Sequence, residues 1–218
     1  MMISMKIELL NPYVLKILIS VRQEDSINSI SQRINLSYGW THKWVQELAK
    51  IGVFKLTRMK VYLNKNNDFY KKTLNYVRTV LVKSVQFNYE ILSLLGIKYC
   101  FTKTDAVFIW TKGGYNISRY KNFYPIFIKI KNKHKELFEY YCKKINLQIN
   151  KKKGVYYQPI YLEDFEVSFC ETIPVDSLSE TIKFMQEHIY NFQPALEMIK
   201  ELYEKKIKIK YKEASDFV

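Results

Sequence analysis

The apolar positions of this chain change period along its length, and the changes mark out a run of short elements. Val14, Leu15, Leu18 and Ile19 fall at helical spacing behind Asn11 and Pro12, and proline suits a first helical position because its missing N–H would be unpaired there anyway. Ser26 is placed to cap a second helix reaching Ile34, with Ile27, Ile30 and Ile34 on its apolar face. After Asn35 and Leu36, Ser37 caps a third helix in which Thr41, Val45 and Leu48 share a face, and Gly52 follows Ile51 where a left-handed stop is wanted. The period then drops to two. Phe54 and Leu56 alternate with Lys55 and Thr57, Arg58, Met59 and Lys60 make a tip, and the alternation resumes at Val61 and Leu63. Three short helices and a basic hairpin in this order predict a winged helix-turn-helix over residues 1–66.

The third helix turns a polar and aromatic face, Tyr38, Trp40, His42, Lys43, Gln46 and Lys50, away from its apolar one. A helix fits the major groove of DNA, where its first turns meet base edges. Tyr38, His42, Lys43 and Gln46 are the candidate readers: an ammonium reaches guanine acceptors or a phosphate, and an amide pairs with adenine. Ser37, Gly39 and Trp40 complete the candidate surface at the helix start, with Gly39 allowing close approach to the nucleic-acid backbone. Arg58 and Lys60 at the hairpin tip suit phosphates or the minor groove. Trp40 fits a core or interface role equally well, Trp44 fits that role better than a contact, and Lys50 and Lys55 fit a solvated face better than specific contacts.

Residues 69–82 follow as an amphipathic connecting helix with Leu74, Val77 and Leu81 apolar, assigned to a linker over 67–84 or to a homodimer contact. Residues 85–218 read as a second, mixed α and β domain, so that the whole chain is expected to be α+β. Helices are expected at 87–95, 105–110, 133–145, 177–188 and 194–203, the last opened by Pro194, and strands at 98–101, 125–130, 155–162 and 167–169, ending before Pro174. Lysines alternating with Ile and Tyr from Lys205 to Lys212 suggest an edge strand or a basic arm.

Charge sharpens the expectation of a polyanionic partner. The 218 residues carry 35 Lys and Arg against 21 Asp and Glu, a formal +14. Residues 1–83 hold 14 of the basic and 5 of the acidic residues, so the excess lies mostly where the helices and hairpin are expected. No apolar run is long enough to span a bilayer and no signal-peptide pattern opens the chain, which leads to the expectation of a cytoplasmic protein without a membrane partner. Cys100, Cys142 and Cys170 are odd in number and far apart, as buried free thiols would be. His42, His134 and His188 have no ligand spacing, so no metal and no cofactor is expected.

The stretch from Lys98-Tyr99-Cys100-Phe101-Thr102 to Trp110, with the closing Ile189-Tyr190-Asn191-Phe192-Gln193-Pro194-Ala195-Leu196-Glu197-Met198, resembles archaeal regulators related to the AbiEi-type antitoxins. Thr102 and Ala106 occupy matching places, and Lys103 stands where that group usually has glycine. The resemblance implies a winged helix-turn-helix regulator or antitoxin that represses its own operon, without catalysis, and a second domain like a degenerate nucleotidyltransferase unit. A working nucleotidyltransferase needs paired carboxylates for two magnesium ions. Here the corresponding strand carries Lys129 and Lys131, which suit a solvated strand face better than a metal. No catalytic residue is therefore assigned.

Three functions are carried forward. The first is a DNA-binding transcriptional regulator whose second domain takes a protein partner, a small effector or another copy. The second is an antitoxin-like interaction module. The third is an RNA-binding protein using some of the 18 tyrosines and 13 phenylalanines for stacking.

Overall fold

The computed structural model describes residues 11–117, 119–120, 122–207 and 209, which form a mixed α and β chain. In chain order the elements are α1 (Pro12–Ser20), β1 (Glu24–Asp25), α2 (Ile27–Arg33), α3 (Tyr38–Lys50), β2 (Phe54–Leu56), β3 (Val61–Leu63), α4 (Asp68–Thr79) and α5 (Val85–Glu90). They continue as β4 (Tyr99–Phe101), α6 (Thr104–Trp110), β5 (Phe123–Lys131), α7 (Lys135–Ile145), β6 (Gly154–Leu162), β7 (Ser168–Cys170), β8 (Ile173–Val175), α8 (Leu178–Glu187) and α9 (Ile189–Leu202). They divide into two compact units. The first holds the residues up to 97 together with 137–147, the second 98–136 and the residues from 148 on.

In the first unit, local chemistry sets the helix starts. The side chains of Asn11, Ser26 and Ser37 accept from the backbone N–H of Val14, Ser29 and Trp40 at 2.9, 3.0 and 3.3 Å, each satisfying a first-turn donor that has no partner inside the helix. Asn35 takes the left-handed conformation, φ 49°, in the turn between α2 and α3. Gly52, φ +76°, ends α3, and Val53 N–H returns to Leu48 O at 2.9 Å. Asn67 ties two helices: its Nδ2 donates to Ile51 O at 2.8 Å while its Oδ1 caps α4 at Tyr70 N–H. The hairpin β2–β3 gains a third antiparallel strand in β1, in the order β1-β3-β2, with Asp25 opposite Val61. Buried Ile17, Leu18, Ile30, Val45, Leu48, Val53 and Val77 form the core.

The connection to the second unit differs from expectation. The helix foreseen over 69–82 stops at Thr79 and continues as a 3-10 turn, Leu81–Lys83, before Ser84 caps α5. The expected boundaries after 66 and 84 differ from the observed division after Ile97. The second difference concerns α7, whose Phe138, Tyr141, Cys142 and Ile145 are buried. Residues 137–147 return to the first unit, where Tyr141 Oη donates to Ser20 O at 2.6 Å.

The second unit is built on a five-stranded sheet in the order β6-β5-β4-β8-β7. β5 and β6 run parallel from the pair Phe123–Gly154 to Lys131–Leu162, β4 is antiparallel to β5 and parallel to β8, and β7–β8 is a hairpin. Ile126, Ile128, Ile130, Phe101, Ala106, Leu196 and Ile199 are buried in its core. Two prolines sit where the sequence does not put them. Pro174 lies inside β8, in a strand beyond the one expected to end before it. Pro194 lies inside α9, which begins at Ile189 because Ile189 and Phe192 bury apolar area that outweighs one missing hydrogen bond. Residues 205–207 and 209 belong to no strand, and the rest of the alternating tail lies outside the described residues.

Candidate nucleic-acid interface

Helix α3 buries Thr41, Trp44, Val45 and Leu48 and leaves its other side open. Tyr38 is 55 % and Trp40 50 % exposed, and Gly39, His42 and Lys43 are exposed as well. Tyr38, His42 and Gln46, four residues apart, form a stripe along the axis. The rings of Tyr38 and His42 stack at 6.0 Å, and His42 Nε2 lies 3.4 Å from Gln46 Nε2. This stripe is one wall of a cleft of about 350 Å³. Ser26, Ile27 and Asn28 at the start of α2 add to it, and the hairpin tip contributes Arg58, Met59 and Lys60. The cleft therefore gathers Tyr38, His42, Gln46, Arg58 and Lys60 from the sequence-derived set.

The other candidates are placed differently. Ser37 acts as the cap of α3, its Oγ accepting from Trp40 N–H. Gly39 faces open space, since a Cβ built on it meets nothing within 4 Å. Lys43 does not line the cleft. Its Nζ lies 4.9 Å from the ring centres of both Trp40 and Trp44, a cation–π arrangement on the neighbouring face of α3. Those indoles stack at 6.3 Å and Tyr13 of α1 stacks on Trp40 at 5.9 Å, giving a three-ring ladder that is exposed at Tyr13 and Trp40 and buried at Trp44.

The cations of the cleft are not equivalent. Lys60 is ion-paired with Glu24 of β1, and that hydrogen bond holds its ammonium pKa above the ordinary lysine range. Arg58 has no side-chain partner among the described residues, which leaves its guanidinium to an outside anion. The sequence does not reveal Glu24 as a neighbour, because a two-residue strand has no period to detect. Tyr13, at the second position of a helix, also lacks a signal until the ladder is seen.

In the second unit, the residues of the expected degenerate site are bonded to one another. Lys129 is not on a solvated face: its side chain is 17 % exposed and its Nζ lies 2.8 Å from Asp176 Oδ1. Thr102 Oγ1 donates to the same carboxylate, Cys100 Sγ donates to it at 3.3 Å, and Trp110 Nε1 donates to Asp176 O at 2.9 Å. Burial and then the adjacent Asp176 push the Cys100 thiol well above its ordinary pKa, which disfavours the thiolate a nucleophile requires. Asp105 is fully buried, pairs with Arg119 at 2.7 Å and accepts from Phe127 N–H at 2.6 Å. Lys103, between β4 and α6, has φ 52°. His134 Nδ1 accepts from Lys98 N–H at 2.8 Å, and burial, with Lys133 and Lys131, lowers its pKa. The three cysteines are buried and free, as expected. Among the described residues no helix is long and apolar enough to cross a membrane.

Comparison with protein-family models, with curated proteins and with solved structures gives no match for this chain.

Proposed function

We propose that the first unit is a winged helix-turn-helix that binds duplex DNA, and that the protein is a transcriptional regulator. The carrying observation is the cleft that joins the open stripe Tyr38, His42 and Gln46 to the hairpin cation Arg58. A helix offering an amide and an imidazole at groove depth, beside a guanidinium at phosphate height, combines base readout with backbone anchoring. The concentration of basic residues in 1–83 supplies the salt-sensitive part of the affinity. The second unit is assigned to a partner, a second copy or an effector, and the likeness to AbiEi-type antitoxins makes a toxin one such partner.

The test is fluorescence anisotropy of the full chain on duplexes selected from genomic DNA. Gln46→Ala costs about 1–3 kcal/mol on the preferred duplex and little elsewhere, whereas Arg58→Ala weakens every duplex and flattens the salt dependence. Unchanged isotherms for Gln46→Ala and Arg58→Ala would falsify the assignment.

A second function is favoured by the ladder of Tyr13, Trp40 and Trp44 with Lys43 over two of its rings. Stacked rings beside a cation suit the bases of a single strand. Single-stranded RNA that binds as tightly as the best duplex, and loses affinity on Tyr13→Ala while the duplex does not, would favour this alternative.

A further inference from the structure

The first unit contains a second concave feature, a cavity of about 590 Å³ between α4 and α7, in the size range of small-ligand sites. Four exposed cations line it: Lys65, Lys71, Arg78 and Lys143. Among the described residues no carboxylate lines it, and none of these cations forms an ion pair. Like charges gathered on facing helices repel one another, so this arrangement is at its best when an anion sits among them. Arg78 is also held in place. Its Nε donates to Lys144 O at 2.8 Å, which leaves the two terminal nitrogens for an incoming ligand.

The cavity has aromatic and amide groups too. Tyr140 on α7 is 40 % exposed and presents a ring, Tyr70 lies opposite on α4, and Asn75 offers an amide with both donor and acceptor. Beneath them Lys144 is buried, its side-chain nitrogen donating to Leu18, Ile19 and Val21 carbonyls at 3.3, 2.8 and 2.5 Å without a carboxylate partner. We propose that this cavity binds a small phosphorylated ligand bearing an aromatic ring, a nucleoside di- or triphosphate, with phosphates among Lys65, Lys71, Arg78 and Lys143 and the ring against Tyr140. A concave site of this volume does not admit a duplex, which sets it apart from the cleft on α3. The proposal stands whether or not the α3 cleft binds DNA.

Titration calorimetry of the full chain at physiological ionic strength, without DNA, tests it with ATP, adenosine and pyrophosphate as probes. ATP is expected to bind one to one and at least about tenfold more tightly than pyrophosphate, with adenosine weaker than both. The pair Lys71→Gln and Lys143→Gln, both exposed, is expected to lower ATP affinity at least about tenfold with no change in thermal midpoint. Tyr140→Ala should bring ATP down to the level of pyrophosphate, and His42→Ala with Arg58→Ala should leave ATP binding as it was. Absence of saturable ATP binding, or ATP binding untouched by Lys71→Gln and Lys143→Gln, overturns the site. Pyrophosphate as tight as ATP overturns the place given to the ring. Loss of ATP binding in the His42→Ala and Arg58→Ala protein overturns the location.

Discussion

The most informative cations of the two units have different surroundings. In the second, Lys129, Arg119, Lys98 and Lys131 face Asp176, Asp105 and Asp164 at 2.7 to 3.1 Å, and the Arg119–Asp105 pair is 2 % and 0 % exposed. These cations answer internal carboxylates and hold strands and loops together. In the first unit, Arg33 has a similar duty, gripping Asp25 at 2.8 and 3.0 Å while donating to Ser20 O. Arg58, Lys65, Lys71 and Lys143 have no such answer among the described residues. The overall charge of a chain is therefore a poor guide to its ligand. What matters is which unpaired cations gather around a concave feature, and in the first unit Arg58 borders the cleft while Lys65, Lys71 and Lys143 border the cavity.

The contrast is broken most severely at Arg119. Arg119→Ala strands a buried Asp105 carboxylate and is expected to cost about 3–5 kcal/mol, read as a lowered urea midpoint of the second unit. A retained midpoint would show that Asp105 is satisfied otherwise.

The next effect belongs to Lys144, whose ammonium is pushed down to about 7 by burial and then by the nearby Arg33. Between that value and the ordinary 10.5 the unfolded chain keeps a proton that the folded chain has released, so stability rises with pH. The slope is at most about 1.4 kcal/mol per pH unit. It is cleanest from about pH 7 to 8.5, below the range where unfolded cysteines ionise and oppose it. Urea midpoints should climb over this window in the wild-type chain and stay level in Lys144→Met. A level wild-type profile would mean that the three carbonyls keep the ammonium charged throughout.

Gly39→Ala separates stability from binding. Alanine in a helix gains up to about 1 kcal/mol over glycine, and its methyl meets no neighbour, so the thermal midpoint should rise slightly. DNA affinity should fall, because the methyl enters the space that a phosphate backbone would occupy. An affinity that rises together with the midpoint argues against docking by the start of α3. The smallest effect is at Lys98→Ala: its partner Asp164 is 71 % exposed, and no measurable change in thermal midpoint is expected.

What the sequence discloses follows from the range of the interactions. Caps at Ser26 and Ser37 act over three residues, and each is found where the sequence places it. The stripe Tyr38, His42 and Gln46 is legible for the same reason, since one helix carries all of it. Lys43 shows the limit: its spacing puts it on the open face, but only the fold reveals that Trp40 and Trp44 draw it away from the cleft. The partners of Lys129 and Arg119 were hidden because buried pairing joins residues that no local period relates. Amphipathic spacing in α7 announces a buried face without saying which unit buries it. Pro194 signals a helix start, and the apolar residues before it override that signal.

The return of residues 137–147 to the first unit limits how that unit can be excised. A fragment ending at residue 97 would lose the Tyr141 hydroxyl and the Lys144 ammonium that together bind the carbonyls of Leu18, Ile19, Ser20 and Val21 at the end of α1. Such a truncation would be missing a wall of its own interior, and supplying the peptide 137–147 in trans, or fusing it through a short linker, is the way to make a minimal folded piece.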